Sequence, residues 1–153
     1  MGPEDDFAES EKLEGFMSCL QQSNIKLPQK YIIKTNISRE NGYDAFLKAV
    51  EFEQPPEGFF ITSSLLAAGF VEAVKMGGYH IPGDFSLVSY GDSLISSIIS
   101  PSLTVIAEPL SNLGEIAAEY LIDLINDKQL DTMINVLQPV IKVRDSSLPQ
   151  FKK

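Results

Sequence analysis

The 153-residue sequence contains one cysteine and one histidine. Because Cys19 has no second cysteine to pair with, an internal disulfide is excluded, and without a Cys/His cluster no zinc site can be assembled. No apolar run reaches the length of a membrane span, and the N-terminus lacks the basic-then-apolar pattern of a signal peptide. We therefore expect a cytoplasmic protein with no metal or other cofactor and no membrane contact.

Positive charge is also scarce, with 12 Lys and Arg against 21 Asp and Glu, which gives a formal net charge of −9. Such a chain repels phosphate backbones, so we expect that it does not bind DNA by itself. With 44% hydrophobic residues, it is long enough for one ordinary globular core and short for two.

Helical and strand periods alternate along the chain. Apolar spacing predicts helices over 8–23, from Ser38 to about residue 54, from Ser63 or Ser64 to 76, and over 111–126. Strand patterns occupy 31–35, 58–62, 85–90 and 103–106, with two short strands around Pro139. This alternation predicts an α/β fold with an open, mostly parallel sheet and helices on both faces.

In such a sheet, ligands bind beyond the carboxyl ends of the strands. Gly91 and Asp92 follow the 85–90 strand, and Ser63 and Ser64 follow the 58–62 strand. Asp92 could contact a ligand or cap the following turn, and the two serines could be helix N-caps.

Catalysis is not expected. The single histidine, His80, is predicted at the opposite end of the strands from Ser63, so no Ser-His-acid constellation can form. The sequence also has no G-x-S-x-G elbow and no glycine loop that could cradle a phosphate.

Several stretches carry a family resemblance, above all "SPSLTVIAEPLSNLGEIAAEYLIDLI", "GGYHIPGDFSLVSY" and "VIKVRDSS". From residue 2 to about 147 the chain resembles the effector-binding domain of LacI/GalR transcription regulators. The resemblance implies the C-terminal subdomain of a periplasmic-binding-protein-like fold. It also implies that a parent protein binds operator DNA through a helix-turn-helix domain that this chain lacks.

The resemblance divides the chain into three parts. Residues 1–106 correspond to the C-terminal effector-binding subdomain, 107–128 to a crossover helix that belongs with the N-terminal subdomain, and 129–153 to return strands and a tail. Most of the N-terminal subdomain has no counterpart in this chain.

The resemblance also implies a small-molecule effector, sugar-like or a related metabolite. Lys12 stands where the family usually has an arginine, Gly91 where it has an aspartate, with Asp92 displaced by one, and Ser64 where it has another aspartate, with Ser63 before it. Several strong hydrogen-bonding groups are thus replaced. The remaining implied pocket positions are Asp6, Ala8, Ile37 and Leu110.

A homodimer is implied as well, through the helix around 66–76 and the segment 93–100. These carry more apolar side chains than a monomer normally leaves exposed, namely Phe70, Val74, Leu94, Ile95, Ile98 and Ile99. A sugar-binding component of a transport system, which shares the fold, is the alternative to a regulator.

The predicted 111–126 helix has an apolar stripe along its whole length. We expect this stripe to fold against the chain's own sheet, to dock onto a second copy, or to be held by a segment outside this chain. In each case the effector cleft has only one intact wall, and sugar binding by the chain alone should be weak.

Overall fold

Helices and strands alternate along the chain in a computed structural model, which describes residues 7–129 and 134–147. The helices within this part are α1 (Phe7–Gln22), α2 (Arg39–Val50), α3 (Ser64–Met76), α4 (Leu94–Ile98) and α5 (Leu110–Ile125). The strands are β1 (Gly58–Ile61), β2 (Ser86–Tyr90), β3 (Thr104–Ala107) and β4 (Val140–Lys142).

The strands form one sheet in the order β1-β2-β3-β4. β1 pairs parallel to β2 and β2 parallel to β3, whereas β4 runs antiparallel to β3. Phe59 packs against Phe70 of α3, while its neighbour Phe60 stacks on Phe16 of α1. Since successive strand residues point to opposite faces, helices cover both faces of the sheet. The predicted α/β fold with an open, mostly parallel sheet is confirmed.

The hydrophobic core lies between the sheet and the α2–α3 pair. Phe46 of α2 is its centre, with ring centroids 5.2 Å from Phe70, 5.7 Å from Phe85 and 5.9 Å from Tyr79. The buried members of this core are Phe46, Ala67, Phe70, Val71, Ala73, Val74, Phe85, Leu87, Leu103, Val105 and Ala107.

Serine side chains begin the two core helices as predicted. Ser38 accepts a hydrogen bond from the Asn41 amide and caps α2. Ser63 accepts one from the Leu65 amide and caps α3, which decides between Ser63 and Ser64. Asn24, two residues after the end of α1, has a φ of 58°, in the left-handed region that often follows the end of a helix.

A buried serine close to the end of the described chain joins β2 to β3. The Ser146 hydroxyl donates to the Leu87 carbonyl and accepts from the Thr104 amide, at 2.6 and 2.8 Å. Its backbone carbonyl accepts from the Leu87 amide, and its amide donates to the Ser102 carbonyl, both at 2.9 Å. Ser146 is fully buried, so water cannot reach its polar groups. These bonds satisfy them instead.

Two of the predicted strands, at 31–35 and before Pro139, are wrong. Residues 31–35 form no strand, because Pro28 begins a 3₁₀ turn over Gln29–Tyr31 and the sheet ends at β1. Residues 134–139 form no strand either, and of the two strands predicted around Pro139 only Val140–Lys142 forms, paired with β3. Proline has no amide hydrogen to donate to a ladder, which favours pairing after it rather than across it. α4 was not predicted, because its 5 residues are too few to show a helical period.

Phe70 and Val74 cannot contribute exposed surface to a dimer. Their side chains are 2% and 0% exposed and belong to the core. α3 is apolar on most of its faces, and these two residues lie on the side that packs against α2 and the sheet.

α5 does not fold against the sheet of its own chain. None of its residues is buried, and its apolar side chains are largely exposed, with Ile125 at 71%. Of the three alternatives expected for this helix, packing on the chain's own sheet is therefore wrong, and docking onto a second copy or onto a segment outside this chain remain. No helix in the described part of the chain is both long and apolar enough to cross a membrane.

α2 and α3 approach so closely that two glycines are required at their contact. A Cβ at Gly69 would lie 1.8 Å from the Arg39 carbonyl oxygen, and one at Gly42 would lie 2.0 Å from the Leu66 carbonyl oxygen. A methyl group on either glycine must push the helix backbones apart.

We expect Gly69→Ala to lower the free energy of unfolding by about 1 to 3 kcal/mol, as for overpacked cores. Gly15→Ala is the matched control, because a Cβ at Gly15 of α1 meets nothing within 4 Å. The control should gain about 0.5 to 1 kcal/mol, since alanine favours a helix interior over glycine. Urea unfolding of both variants checks this, and a Gly69→Ala protein as stable as wild type would contradict the close contact.

Candidate functional site

Polar side chains gather where the parallel strands β1, β2 and β3 end. Thr62 follows β1, Tyr90 ends β2 and Glu108 follows β3, while Glu9 and Lys12 reach this edge from the first half of α1. We call these five residues the carboxyl-edge cluster. It lies at the edge where the sheet type predicts a ligand site.

Glu9 is a buried carboxylate at the base of this cluster. It is 2% exposed, accepts a hydrogen bond from the Lys12 ammonium at 2.6 Å and accepts another from the Thr62 hydroxyl. A charge removed from water is tolerated only when it is paired and hydrogen-bonded. Glu9 therefore fixes the position of α1 over the end of β1.

Lys12 links Glu9 to Tyr90. Its ammonium lies 4.3 Å from the centroid of the Tyr90 ring, a cation–π distance. The Tyr90 hydroxyl donates to Glu108 Oε1 at 2.6 Å. Burial, together with the hydrogen bond and charge of Glu108, raises the pKa of Tyr90 to about 12. Tyr90 thus remains a neutral phenol whose proton is directed at Glu108.

Gly91 and Asp92 leave β2 in an unusual conformation. Gly91 has a φ of 86°, which glycine adopts without strain, and its amide donates to the Ile106 carbonyl. Asp92 then accepts bonds from Lys142 Nζ and Arg144 Nη2, each at 2.7 Å, and from the Ser96 hydroxyl at 3.0 Å. The hydrogen bonds from Lys142 and Arg144 lower the pKa of Asp92 to about 2.

These contacts differ from both roles considered for Asp92 in the sequence. Its carboxylate neither caps the turn alone nor stands open to a ligand, because two cations on and just after β4 already engage it. Asp92 therefore joins the β2–α4 turn to β4. The partners could not be identified from the sequence, since they lie 50 and 52 residues away.

The other predicted pocket residues are dispersed. Ser63 is occupied as the α3 cap, and the hydroxyl of Ser64 lies 2.7 Å from that of Ser93, joining the turns after β1 and β2. Ala8 is exposed beside Glu9. Ile37 and Leu110 are exposed at 43% and 66%. Asp6 lies outside the described residues.

Four members of the cluster were missed in the sequence: Glu9, Thr62, Tyr90 and Glu108. Thr62, Tyr90 and Glu108 end or directly follow strands, which is a signal that could have identified them. Glu9 gave no such signal, because a glutamate near a helix start is ordinarily exposed.

An open groove lies beside the cluster, between α1 and the sheet face. Its volume is about 640 Å³, and its walls include Lys12, Phe16, Phe60, Val88 and Tyr90. Apolar walls with a few polar groups at one end are typical of sites for small molecules. Within the described residues, no group of three or more His, Cys, Asp or Glu side chains could hold a metal ion.

Comparison with known families identifies the family of the chain. The sequence model of the periplasmic binding protein-like domain matches residues 1–147. The chain belongs to this family. Its resemblance to the LacI/GalR effector-binding domain is confirmed by its relatives, which are transcription regulators rather than enzymes.

Three relatives illustrate the similarity. The HTH-type transcriptional repressor PurR of Vibrio vulnificus is 28% identical over 136 residues, 89% of this chain and 41% of the repressor. The structure of the transcription regulator CcpA of Lactococcus lactis is 26% identical, with a TM-score of 0.85 over 97% of this chain and 54% of that one. A LacI family regulator from Enterococcus faecium with bound ribose is 29% identical, with a TM-score of 0.76 over 90% and 51% of the two chains.

The Asp92 contacts predict a pH-dependent contribution to stability. Because its pKa is lowered from 3.8 to about 2 on folding, this contribution is fully present above about pH 4 and is lost as the pH falls towards 2. Asp92→Asn should be less stable than wild type at pH 6, and the difference should shrink steadily between pH 4 and pH 2.

Urea unfolding of both proteins across this range measures the difference. Asp44→Asn, which removes an exposed carboxylate from α2, controls for the loss of one negative charge. A constant difference between Asp92→Asn and wild type from pH 6 to pH 2 would show that Asp92 is not ion-paired.

Proposed function

We propose that this chain is the ligand-sensing and dimerisation part of a LacI-type transcription regulator. The observation that carries the proposal is the carboxyl-edge cluster beside an open groove, in a chain of this family. Hydroxyl, carboxylate and ammonium groups at one end and aromatic side chains along the wall suit a small polar ligand, sugar-like or a related metabolite.

The ligand-facing residues would be Lys12, Tyr90 and Glu108 of the cluster. The predicted positions Ser64 and Gly91 would join them, and the buried Glu9 and Thr62 would hold the cluster in place. Asp6, Ala8, Ile37 and Leu110 remain predicted contacts that need the second wall of the cleft. Asp92 and Ser63 would act by fixing the turns that follow β2 and β1, because their side chains already have partners.

The second wall would come from outside this chain. The chain spans less than half the length of the PurR repressor it matches and about half of the matched structures. The exposed α5 supports the division proposed from the sequence, in which 1–106 form the effector subdomain, 107–128 pack with the other subdomain and 129–153 return. The apolar face of α5 would then be covered by that subdomain.

A ligand bridging two subdomains would control DNA binding by shifting the population of closed and open forms. Such a switch requires the ligand to bind one form more tightly than the other. Operator DNA would be bound by a helix-turn-helix domain outside this chain, because a net charge of −9 opposes DNA binding here. The proposed location is the cytoplasm.

Regulation is favoured over the alternative of a transport component. The fold suits both, but the relatives described above are transcription regulators. The sequence that precedes this chain in its gene discriminates the two, since a regulator would have a helix-turn-helix there and a transport component a signal peptide.

The ligand switch predicts different behaviour for the chain and for the complete regulator. Titration of this chain with ribose in a calorimeter should give weak or no binding, because only one wall is present. For the complete regulator, a bound effector should change operator affinity about 5- to 150-fold. Operator binding that is equal with and without a bound metabolite would contradict the switch, and tight ribose binding by the chain alone would contradict the need for a second wall.

We also propose a homodimer through a patch formed by α3 and α4. Met76, Leu94 and Ile98 are 74%, 75% and 70% exposed, and Ile95 and Ile99 are partly buried. Large apolar side chains exposed together on neighbouring helices often mark a protein–protein interface. Phe70 and Val74 would support the patch from beneath.

Ile98→Glu should convert the dimer to monomers, because the interface would bury an unpaired charge. Ile25→Glu is the control: Ile25 is 54% exposed and follows α1, away from the patch. Sedimentation equilibrium of the two variants and wild type measures the association. A dimer that is as stable in Ile98→Glu as in wild type would place the interface elsewhere.

A further inference from the structure

Within the described residues, β1 has a neighbouring strand on one side only, because the sheet ends at β1 and β2 is its partner. The Ser86 amide of β2 donates to the Glu57 carbonyl at 2.8 Å. Since alternate residues of a strand share a side, Phe59 and Ile61 also direct their main-chain groups towards β2. The amide and carbonyl of Phe60 therefore point away from β2, as they do along the open side of an edge strand.

The helices continue beyond this open edge. Leu13 and Phe16 of α1, Ala45 and Ala49 of α2 and side chains from the segment 31–35 line a solvent-accessible space beside β1, which we call the edge slot. α1 covers one face of the sheet and α2 lies on the other. The edge slot is therefore flanked by helices on both sides, as is a strand position in the interior of a parallel sheet.

The far side of the edge slot has the composition of a strand. The segment 31–35, Tyr-Ile-Ile-Lys-Thr, is rich in aromatic and β-branched residues, and Ile32 has an extended backbone with φ −95° and ψ 100°. This segment does not pair with β1, because the edge slot separates the two. The side chains of Ile32 and Ile33 are only partly buried, so an occupant of the slot would cover apolar surface on both of its neighbours.

The order of the helices identifies which segment would enter the edge slot. Crossovers between parallel strands are right-handed, so two crossover helices on the same face of a sheet advance across it in the same direction. α2 and α3 share a face, and α2 leads from 31–35 to β1 as α3 leads from β1 to β2. α1 lies on the opposite face and leads to 31–35, so it advances in the opposite direction, away from β2. A parallel strand that precedes α1 would therefore lie between 31–35 and β1.

We propose that the edge slot is the position of a parallel β-strand that precedes α1 in the complete protein. This proposal rests on the proposed function only in that the chain is part of a longer polypeptide. The chain would then lack one strand of its own sheet in addition to the second wall of the cleft. Because helices flank both faces of the slot, this strand would be a short apolar run without charged residues.

The strand would also complete the ligand-binding edge. Parallel strands have their carboxyl ends at one edge of the sheet, where ligands bind. The residues that follow the strand would therefore lie beside Thr62, at the end of β1, and beside Glu9 of α1. Without this strand, the wall that carries the carboxyl-edge cluster would itself be incomplete.

The test is hydrogen exchange of main-chain amides, measured by NMR in this chain and in the complete protein. The Phe60 amide points into the edge slot, whereas the amides of Phe59 and Ile61 point to β2 and are the matched controls within the same strand. In this chain the Phe60 amide should exchange faster than both controls. In the complete protein its exchange should slow by at least about tenfold relative to that of Phe59, because it gains a ladder hydrogen bond. The ratio of the two rates removes any difference in overall stability.

Three results would overturn the proposal. The first is a ratio of Phe60 to Phe59 exchange that is the same in the complete protein and in this chain. The second is protection of Phe60 in this chain that rises with protein concentration, which would make a second copy the occupant. The third is a charged or helix-period sequence directly before this chain in its gene. The exchange measurement involves neither effector nor operator, so a slowed Phe60 amide in a protein without a ligand switch would refute the proposed function and keep the strand.

Discussion

The arrangement of the carboxyl-edge cluster depends on one buried carboxylate. Glu9 is almost fully removed from water, and its charge is balanced by Lys12 and by the hydroxyl of Thr62. Breaking such a buried pair by removing one partner costs about 3 to 5 kcal/mol, so α1 cannot rotate or slide without a large penalty. Lys12 is consequently held over the Tyr90 ring, and Tyr90 is held towards Glu108. The buried charge of Glu9 thus fixes the position of α1 relative to the ends of β1 and β2 and to the residue that follows β3.

Local patterns in the sequence were sufficient for most of the fold. Ser38 and Ser63 begin helices because a serine hydroxyl next to an apolar period satisfies free amides, a rule that acts within a few residues. The same reasoning failed for 31–35, where β-branched residues have strand propensity but no strand pairs with them. It failed again for Phe70 and Val74, since an almost wholly apolar helix does not reveal which of its faces is turned to the core.

The candidate site could be located from the sequence but not described in detail. The type of sheet predicted where ligands bind, and the cluster lies there. Which side chains are occupied by internal partners depends on contacts between distant parts of the chain. Asp92 meets Lys142 and Arg144 across about fifty residues, and Thr62 meets Glu9 across a similar distance. Pairs of this kind are set by tertiary packing, which no local period encodes.

The bonds of Ser146 bear on when this chain can fold. Two amides in the middle of the sheet, those of Leu87 and Thr104, find their acceptors only in residue 146. Until that residue has been synthesised, β2 and β3 each carry an amide that is unpaired if buried, at a cost of about 1 to 3 kcal/mol apiece. Such long-range closure slows folding and leaves the two inner strands without these bonds in the meantime. A ribosome that has made this chain only as far as β3 therefore carries a sheet in which the central amides of Leu87 and Thr104 still lack their acceptors.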